Sequence, residues 1–306
     1  MPLDSLIERK LSIISGKGGV GKTTMAAAIG VLAAKHGKRV LIAEVQPNRY
    51  LSQLFDVEAL SGTPTQLRDN LYGMRIEAEE ALEQYLDVQF HMKRIARPFV
   101  TSQLVDYATH AAPGLHDILI LGKVWYTAVR QDDFDLVILD APASGHAVSM
   151  LKSPAGFLNA VPIGPLANHA RQLLDFLQDP EQVSINLAAL PEETPVNETI
   201  ETTDLFETQL SLNVDHVFVN MVLEPVAILE DLKNPDQLKS PDAEELFRCF
   251  AFHQARRNLQ AQHLTTIHKS LSHTAKIVEI PYLFRSRLTA LDIDLIADTL
   301  EQQIQS

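Results

Sequence analysis

The chain has 306 residues, and its 39 Asp and Glu residues against 26 Lys and Arg give a formal net charge of −13. Its composition, 46% hydrophobic and 21% charged, is that of a globular protein and excludes a disordered, collagen-like or coiled-coil chain. The acidic balance disfavours nucleic acid and anionic membrane surfaces as partners, since both attract proteins through positive potential.

The first predicted element is a buried strand over residues 11–15. A glycine-rich turn follows it, and then an alanine-rich helix over residues 23–36, with Gly37 suited to cap its end. A second strand is predicted over residues 39–45. Strand, helix and strand at this spacing indicate a right-handed βαβ unit with parallel strands.

Later apolar runs predict four more buried strands, over residues 135–140, 183–190, 216–220 and 276–280. Helical patterns fill most of residues 76–130 and 147–180 and suggest a helical layer or subdomain inserted into a single domain, 1–306. We therefore expect an α/β fold with a doubly wound, mostly parallel sheet. Ligands bind such sheets beyond the carboxyl ends of the strands. The residues expected at those ends are Gly16, Gln46, Asp140 and Asn220.

The turn after the first strand reads G-K-G-G-V-G-K-T-T and matches the phosphate-loop pattern G-x-x-x-x-G-K-[ST]. Its glycines let backbone N–H groups approach phosphate oxygens, and the next helix directs its positive end at the same anion. In this pattern Lys22 reaches the β- and γ-phosphates, and the Thr23 hydroxyl ligates Mg²⁺. The residues expected to bind nucleotide here are Gly16, Gly18, Gly19, Val20, Gly21, Lys22, Thr23 and Thr24.

Two further polar residues are candidates for the same site. Asp140 is expected to end its strand and opens the segment D-A-P-A-S-G-H, where a carboxylate suits the Mg²⁺ shell; a simple turn cap is the alternative. Asn220 ends the run V-F-V-N, and its amide offers a donor and an acceptor to an adenine edge. The chain has no N-K-x-D guanine motif, so we expect ATP rather than GTP.

Together these motifs resemble the ArsA/guided-entry family of ATPases, and the resemblance covers most of the chain. D-A-P-A-S-G-H is similar to the family's D-T-A-P-T-G-H switch II, and Lys17 matches the extra lysine of a deviant Walker A motif. The resemblance implies that Lys17 reaches a partner subunit's nucleotide and that Asn220, Pro281 and Tyr282 form the adenine pocket. The chain looks closest to bacterial ArsA-like ATPases that work as paired subunits. We thus expect a homodimer, or a heterodimer with a related ATPase subunit.

The chain departs from the family at switch I, where E-V-Q-P-N-R-Y-L-S-Q replaces D-P-A-H-S/N-L-S-D. Gln46 stands where the family's Asp positions the attacking water, and glutamine can orient water but cannot accept its proton. Glu44 lies two residues earlier and faces the same way along a strand, so it could contact a Mg²⁺-bound water or be a structural acid. The expected catalytic residues are Lys17, Lys22, Gln46 and Asp140, with ATP and Mg²⁺ as cofactors and with slow turnover.

The family's arsenite-binding cysteines and C-x-x-C zinc pair are absent, so we expect neither an arsenite site nor a zinc-bridged dimer. The single cysteine, Cys249, excludes a disulfide within the chain, and we expect its thiol to be buried. Histidines do not replace the thiols: the four in residues 253–273 lack the i, i+4 spacing of a metal pair. Residues 84–126 contain a single methionine, Met92. This disfavours the Met-rich groove that guided-entry ATPases use for tail anchors.

No apolar run reaches the roughly 18 residues of a membrane span, and the first residues lack the order of a secretory signal. Residues 288–306 contain no Lys or Arg, which argues against a membrane-binding ATPase of the MinD/ParA type. We therefore expect a cytoplasmic, dimeric, Mg-dependent ATPase whose nucleotide state switches its conformation for an unidentified cargo or partner. The alternative is a slow or non-hydrolysing regulatory subunit of a hetero-oligomer. The acidic segment 175–245 is expected to be a solvated face.

Overall fold

The computed structural model describes residues 6–45, 49–90, 114–226 and 241–305. Gln46 therefore lies outside the described residues, as does the middle of the first predicted helical region. For residues 85–90 and 241–244 the structure describes the backbone alone.

A mixed, mostly parallel sheet forms the centre of the fold. Its strands are β1 (Leu11–Gly16), β2 (Val40–Glu44), β3 (Thr65–Arg68), β4 (Leu71–Arg75), β5 (Leu136–Ala143), β6 (Val183–Ala189), β7 (Val214–Val222) and β8 (Lys276–Pro281). Within the described residues the sheet has eight strands in the order β3-β4-β2-β5-β1-β6-β7-β8. Every neighbouring pair is parallel except β3 and β4. The predicted α/β class is confirmed.

Helices cover both faces of this sheet. They are α1 (Lys22–Lys35), α2 (Tyr50–Leu54), α3 (Ala78–Phe90), α4 (Leu115–Val129), α5 (Ser144–Ala160), α6 (Pro165–Leu177), α7 (Glu193–Leu205), α8 (Pro241–Leu271) and α9 (Ala290–Gln305). Helices α1 and α9 pack together on one face, and α3 to α8 contribute to the core on the other. Among the described residues, no helix combines the length and hydrophobicity needed to cross a membrane.

The two cores explain why the central strands are apolar throughout. In β1, Ile13 belongs to the core under α3 to α8, and the next residue, Ile14, belongs to the core under α1 and α9. Val137 and Ile138 alternate in the same way along β5. A strand buried on both faces has no solvent side for polar residues, so it reads as a continuous apolar run.

All six predicted strands are present, and their ends differ from the prediction by a few residues. The main correction concerns β5, which continues for three residues beyond Asp140, so that this residue lies within the strand rather than at its end. A register shift in β1 between Ile14 and Gly16 lets Gly16 pair with Ala143 and keeps the longer β5 in the sheet. The antiparallel pair β3 and β4 was not predicted.

The described parts of both predicted helical regions are helical. Helices α4, α5 and α6 share a small core of Ile118, Phe157 and Ala170. Their grouping as an insertion in one domain, 1–306, stays a prediction. The predicted burial of Cys249 is wrong, because its side chain is exposed on α8.

Candidate functional site

The loop between β1 and α1 lies at the carboxyl edge of the sheet and needs glycine at both ends. Gly16 has φ 144°, and a Cβ there would lie 2.1 Å from the carbonyl oxygen of Ala188 on β6. Gly21 has φ 97°, and a Cβ there would lie 2.4 Å from Nδ2 of Asn220 on β7. These conformations and close approaches exclude larger residues and hold the loop against its neighbouring strands.

A cavity of about 680 Å³ opens above this loop, a volume suited to a small-molecule ligand. It brings together most of the residues predicted from the sequence. Those that line it are Gly18, Gly19, Gly21, Lys22, Thr23, Thr24, Asp140, Asn220, Pro281 and Tyr282. Gly16, Lys17 and Val20 belong to the same loop but do not line the cavity.

Two buried carboxylates lie side by side below the loop; Asp140 lines the cavity and Glu44 does not. Asp140 on β5 is paired in register with Glu44 on β2, and their exposed fractions are 6% and 1%. The Thr23 hydroxyl donates a hydrogen bond to Asp140 Oδ2 at 2.6 Å. Within the described part of the chain, Asp140 Oδ1 has no hydrogen-bond donor, whereas the backbone N–H of Leu51 and the charge of Arg75 act on the Glu44 carboxylate.

Burial dominates the electrostatics of this pair. It raises the pKa of Glu44 to about 7, and the neighbouring charge of Asp140 adds to the effect, while Arg75 opposes it. Burial also raises the pKa of Asp140 to about 6, against the hydrogen bond from Thr23 and the charge of Lys22. The Thr23 hydroxyl and the Asp140 carboxylate with its unused oxygen are the hard donors that Mg²⁺ prefers, and this ion usually needs only one or two carboxylates from the protein. The residues present therefore fit a magnesium ion.

The two lysines of the loop point in different directions. Lys22 lines the cavity, and its Nζ donates to the carbonyl oxygen of Lys17 at 3.3 Å. Burial lowers the pKa of Lys22, and the charges of Asp140 and Glu198 oppose that shift. Lys17 Nζ instead donates to Oε2 of Glu198 on α7 at 2.9 Å. Sequence reasoning assigned no role to Glu198, because only the fold brings it to the loop.

Asn220 connects β7 to the phosphate loop. Its Nδ2 donates to the carbonyl oxygen of Val20 at 3.0 Å, and its Oδ1 accepts from the backbone N–H of Met221 at 2.9 Å. Met221 has φ 60° at an irregular point of the β7–β8 pairing. Gln260 on α8 supports this backbone by donating to the Met221 carbonyl at 3.1 Å. The amide of Asn220 thus fixes the loop, and its contact with adenine stays a prediction.

An aromatic wall borders the cavity at the end of β8. Pro281 ends this strand, and the rings of Tyr282 and Phe284 meet edge to face with centroids 4.5 Å apart. Sequence reasoning missed several other lining residues, namely Tyr50, Gln53, Met221, Phe284, Arg285 and Arg287. The only sequence signal among them was the pair of arginines that follows P-Y-L-F. The others belong to no motif, and Tyr50 and Gln53 on α2 and Met221 on β7 reach the cavity only through the fold.

The remaining candidates for a metal site are the His, Cys, Asp and Glu side chains in the part of the chain that the structure describes. There, no group of three or more His, Cys, Asp or Glu side chains is placed to hold a metal ion. Of the histidines considered above, His268 instead pairs with Glu279 at 2.9 Å.

The sequence matches a family model and several known ATPases. Residues 9–162, just over half of the chain, match the family model of the ArsA anion-transporting ATPases. ATPase BagA of Mycobacterium tuberculosis is 31% identical over 221 residues, which cover 69% of this chain and 64% of that protein. A putative arsenical pump-driving ATPase of Halobacterium salinarum is 26% identical over 71% of this chain and 36% of its own length. The Escherichia coli arsenical pump-driving ATPase is 26% identical over 68% of this chain and 39% of its own length. The matched part thus spans less than two thirds of each relative.

Proposed function

The chain belongs to the ArsA family of anion-transporting ATPases, and on this basis we propose that it binds ATP with Mg²⁺ in the cavity above the phosphate loop and hydrolyses it. One observation carries the proposal. Lys22, Thr23 and Asp140 line the same cavity, and the buried Oδ1 of Asp140 lacks a donor among the described residues.

The loop and its neighbours have separate roles in this proposal. The backbone N–H groups of the loop and the Lys22 ammonium bind the phosphates and stabilise the charge that spreads over them during transfer. Thr23 would hold Mg²⁺, and Asp140 and Glu44 would contact it through its bound waters; the ion when bound neutralises phosphate charge. Tyr282 and Pro281 pack against the adenine, with Asn220 beside them.

Gln46 orients the water that attacks the γ-phosphate, in the place of the family's Asp. Its amide holds the water in line but takes no proton, so hydrolysis is slow. The alternative proposal, a regulatory subunit that binds nucleotide without turning it over, rests on this same substitution.

Lys17 acts on the nucleotide of a partner subunit, and the working form is a dimer, either of two copies or with a related ATPase subunit. The orientation of Lys17 supports this proposal, since its ammonium pairs with Glu198 and does not line the cavity of its own chain. ATP binding and release then switch the conformation of the pair.

The proposed cargo is not an arsenical compound, although the names of several relatives refer to an arsenical pump. Three thiolates are the usual ligands of arsenite in this family, and Cys249 is the only thiol of this chain. We propose that the protein has neither a zinc site nor an arsenite site. We also propose that it acts in the cytoplasm.

The test is phosphate release from ATP by the purified chain with Mg²⁺. Lys22→Ala removes the ammonium that faces the phosphates, so its rate should fall to the background of the assay. Lys269→Ala removes an exposed lysine near the end of α8 and should keep the wild-type rate. Equal rates for wild type and Lys22→Ala would refute hydrolysis at this site.

A further inference from the structure

Glu198 is a carboxylate on α7 that has no part in the proposed hydrolysis but touches two parts of the phosphate site. Its Oε2 accepts a hydrogen bond from Lys17 Nζ at 2.9 Å, and its Oε1 accepts one from the hydroxyl of Ser144. Lys17 belongs to the phosphate loop, and Ser144 is the first residue of α5, directly after the strand that carries Asp140. One side chain therefore connects the loop, α5 and α7.

This contact fixes where the Lys17 ammonium lies within its own chain. The pair is only partly open to solvent, with side-chain exposures of 38% for Lys17 and 31% for Glu198. Hydrogen bonds from Ser144 and Lys17 lower the pKa of Glu198 in spite of its partial burial, so the carboxylate is charged at neutral pH. An ammonium held by a charged carboxylate must leave it, or share it, before it can bind another anion.

We propose that Glu198 is a positioning residue for Lys17, which keeps the ammonium on its own subunit until a nucleotide-loaded second copy of the chain competes for it. This inference rests on the proposed function, since it requires Lys17 to act on a partner's nucleotide. A γ-phosphate offers more charge and more acceptor oxygens than a carboxylate and can therefore displace it. The Lys17–Glu198 pair thereby opposes dimerisation, and nucleotide overcomes that opposition.

The same carboxylate couples this release to α5. When Lys17 leaves, Glu198 keeps its hydrogen bond from the Ser144 hydroxyl and the nearby charge of Lys22. The start of α5 follows directly on the strand of Asp140, so only three residues of chain separate Ser144 from the proposed magnesium site.

The size of the effect follows from the exposure of the pair. Ion pairs that solvent reaches are weak, and removing one should shift a competing equilibrium by about two- to fivefold. Glu198→Gln is the suitable change, because it removes the charge but keeps the size of the side chain and an acceptor for Ser144.

The test is the dimer dissociation constant, measured by analytical ultracentrifugation with Mg²⁺ and a non-hydrolysable ATP analogue. We expect Glu198→Gln to lower this constant by about two- to fivefold relative to wild type. In a Lys17→Ala background the same substitution should have no effect, which a merely structural role of Glu198 would not predict. Glu201→Gln removes an exposed charge from the same helix and should match wild type.

Three results would overturn the inference. The inference fails if wild type dimerises and Glu198→Gln dimerises no more tightly. It also fails if Glu198→Gln tightens the dimer equally in the Lys17→Ala background. In both cases the proposed ATPase activity stands. If wild type stays monomeric with the analogue, the inference fails together with the proposed dimer. Calorimetric binding of the analogue to wild type then shows whether the nucleotide site itself survives.

Discussion

At the scale of single residues, the site is defined by two buried carboxylates on neighbouring strands. Asp140 and Glu44 lie opposite each other on β5 and β2, and both are buried. Burying two carboxylates side by side is unfavourable unless a cation or a proton compensates them. Their position under Lys22 and Thr23 is what suits a nucleotide with its metal ion.

Gln46 supplies a prediction at the same scale, drawn from the sequence. Gln46→Asp restores a side chain that can orient water and also accept its proton, so the steady-state ATPase rate should rise. General-base assistance is worth about 10²–10⁴-fold, and we expect the lower end, because phosphoryl transfer depends mainly on positioning and charge. Nucleotide affinity should not change.

The matched control is Gln46→Ala, which removes the orienting amide and should lower the rate below wild type. If Gln46→Asp is no faster and Gln46→Ala is equally active, the water does not lie at this residue. Glu44→Gln in the same assay then tests the nearest other carboxylate.

At the scale of secondary-structure elements, the loop is held between β6 and β7 by close backbone approaches. Gly21→Ala would force a Cβ into a left-handed conformation and into the Asn220 amide, 2.4 Å away. The left-handed conformation alone should lower the free energy of unfolding by about 1–2 kcal/mol. The displaced Asn220 should also release the loop and weaken ATP binding.

Gly37→Ala is a matched control for this change. Gly37 also has a left-handed φ, 80°, but a Cβ there meets no atom within 4 Å among the described residues. Both variants should lose stability in denaturant titrations, and only Gly21→Ala should lose nucleotide affinity. Similar ATP affinities for the two variants would show that the contact with Asn220 does not hold the site.

The elements differ in how well the sequence predicts them. The unit β1–loop–α1 was predictable, because its glycines, its lysine and its apolar runs each permit few structures. The edge strand β3 and its neighbour β4 were not, since both are short and their residues carry no clear period of two. The extension of β5 beyond Asp140 depends on a register shift in a neighbouring strand. The Lys17–Glu198 pair joins residues 181 positions apart, and no local pattern signals it.

At the scale of the whole molecule, a buried polar network crosses the sheet away from the nucleotide cavity. The ring of His216 on β7 donates from Nδ1 to Oδ1 of Asn186 on β6 at 2.9 Å, and Asn186 donates to the Ser12 hydroxyl on β1 at 3.0 Å. Burial, with a smaller effect of the Lys276 charge, lowers the pKa of His216 to about 4. The network therefore contains a neutral histidine at ordinary pH.

This histidine makes stability depend on pH. Since its pKa is lower in the folded protein than in the unfolded chain, protonation favours unfolding; its contribution is complete above about pH 6.5 and is lost as pH falls toward 4. Between about pH 7.5 and about pH 5 the loss should be roughly 2 kcal/mol. His216→Gln, which has no proton to gain, should lose less in urea titrations at the two pH values. An equal loss in both proteins would contradict this role of His216.

At the same scale, the proposed nucleotide binding is tested most directly by calorimetric titration of ATP with Mg²⁺ into wild type and Lys22→Ala. Losing a charge-assisted hydrogen bond of about 1.5–3 kcal/mol should weaken binding more than tenfold in Lys22→Ala. Lys269→Ala, run beside it, should bind as wild type does. Saturable ATP binding by wild type that Lys22→Ala weakens is the predicted result. Absence of binding by wild type, or the same affinity in Lys22→Ala, would contradict it.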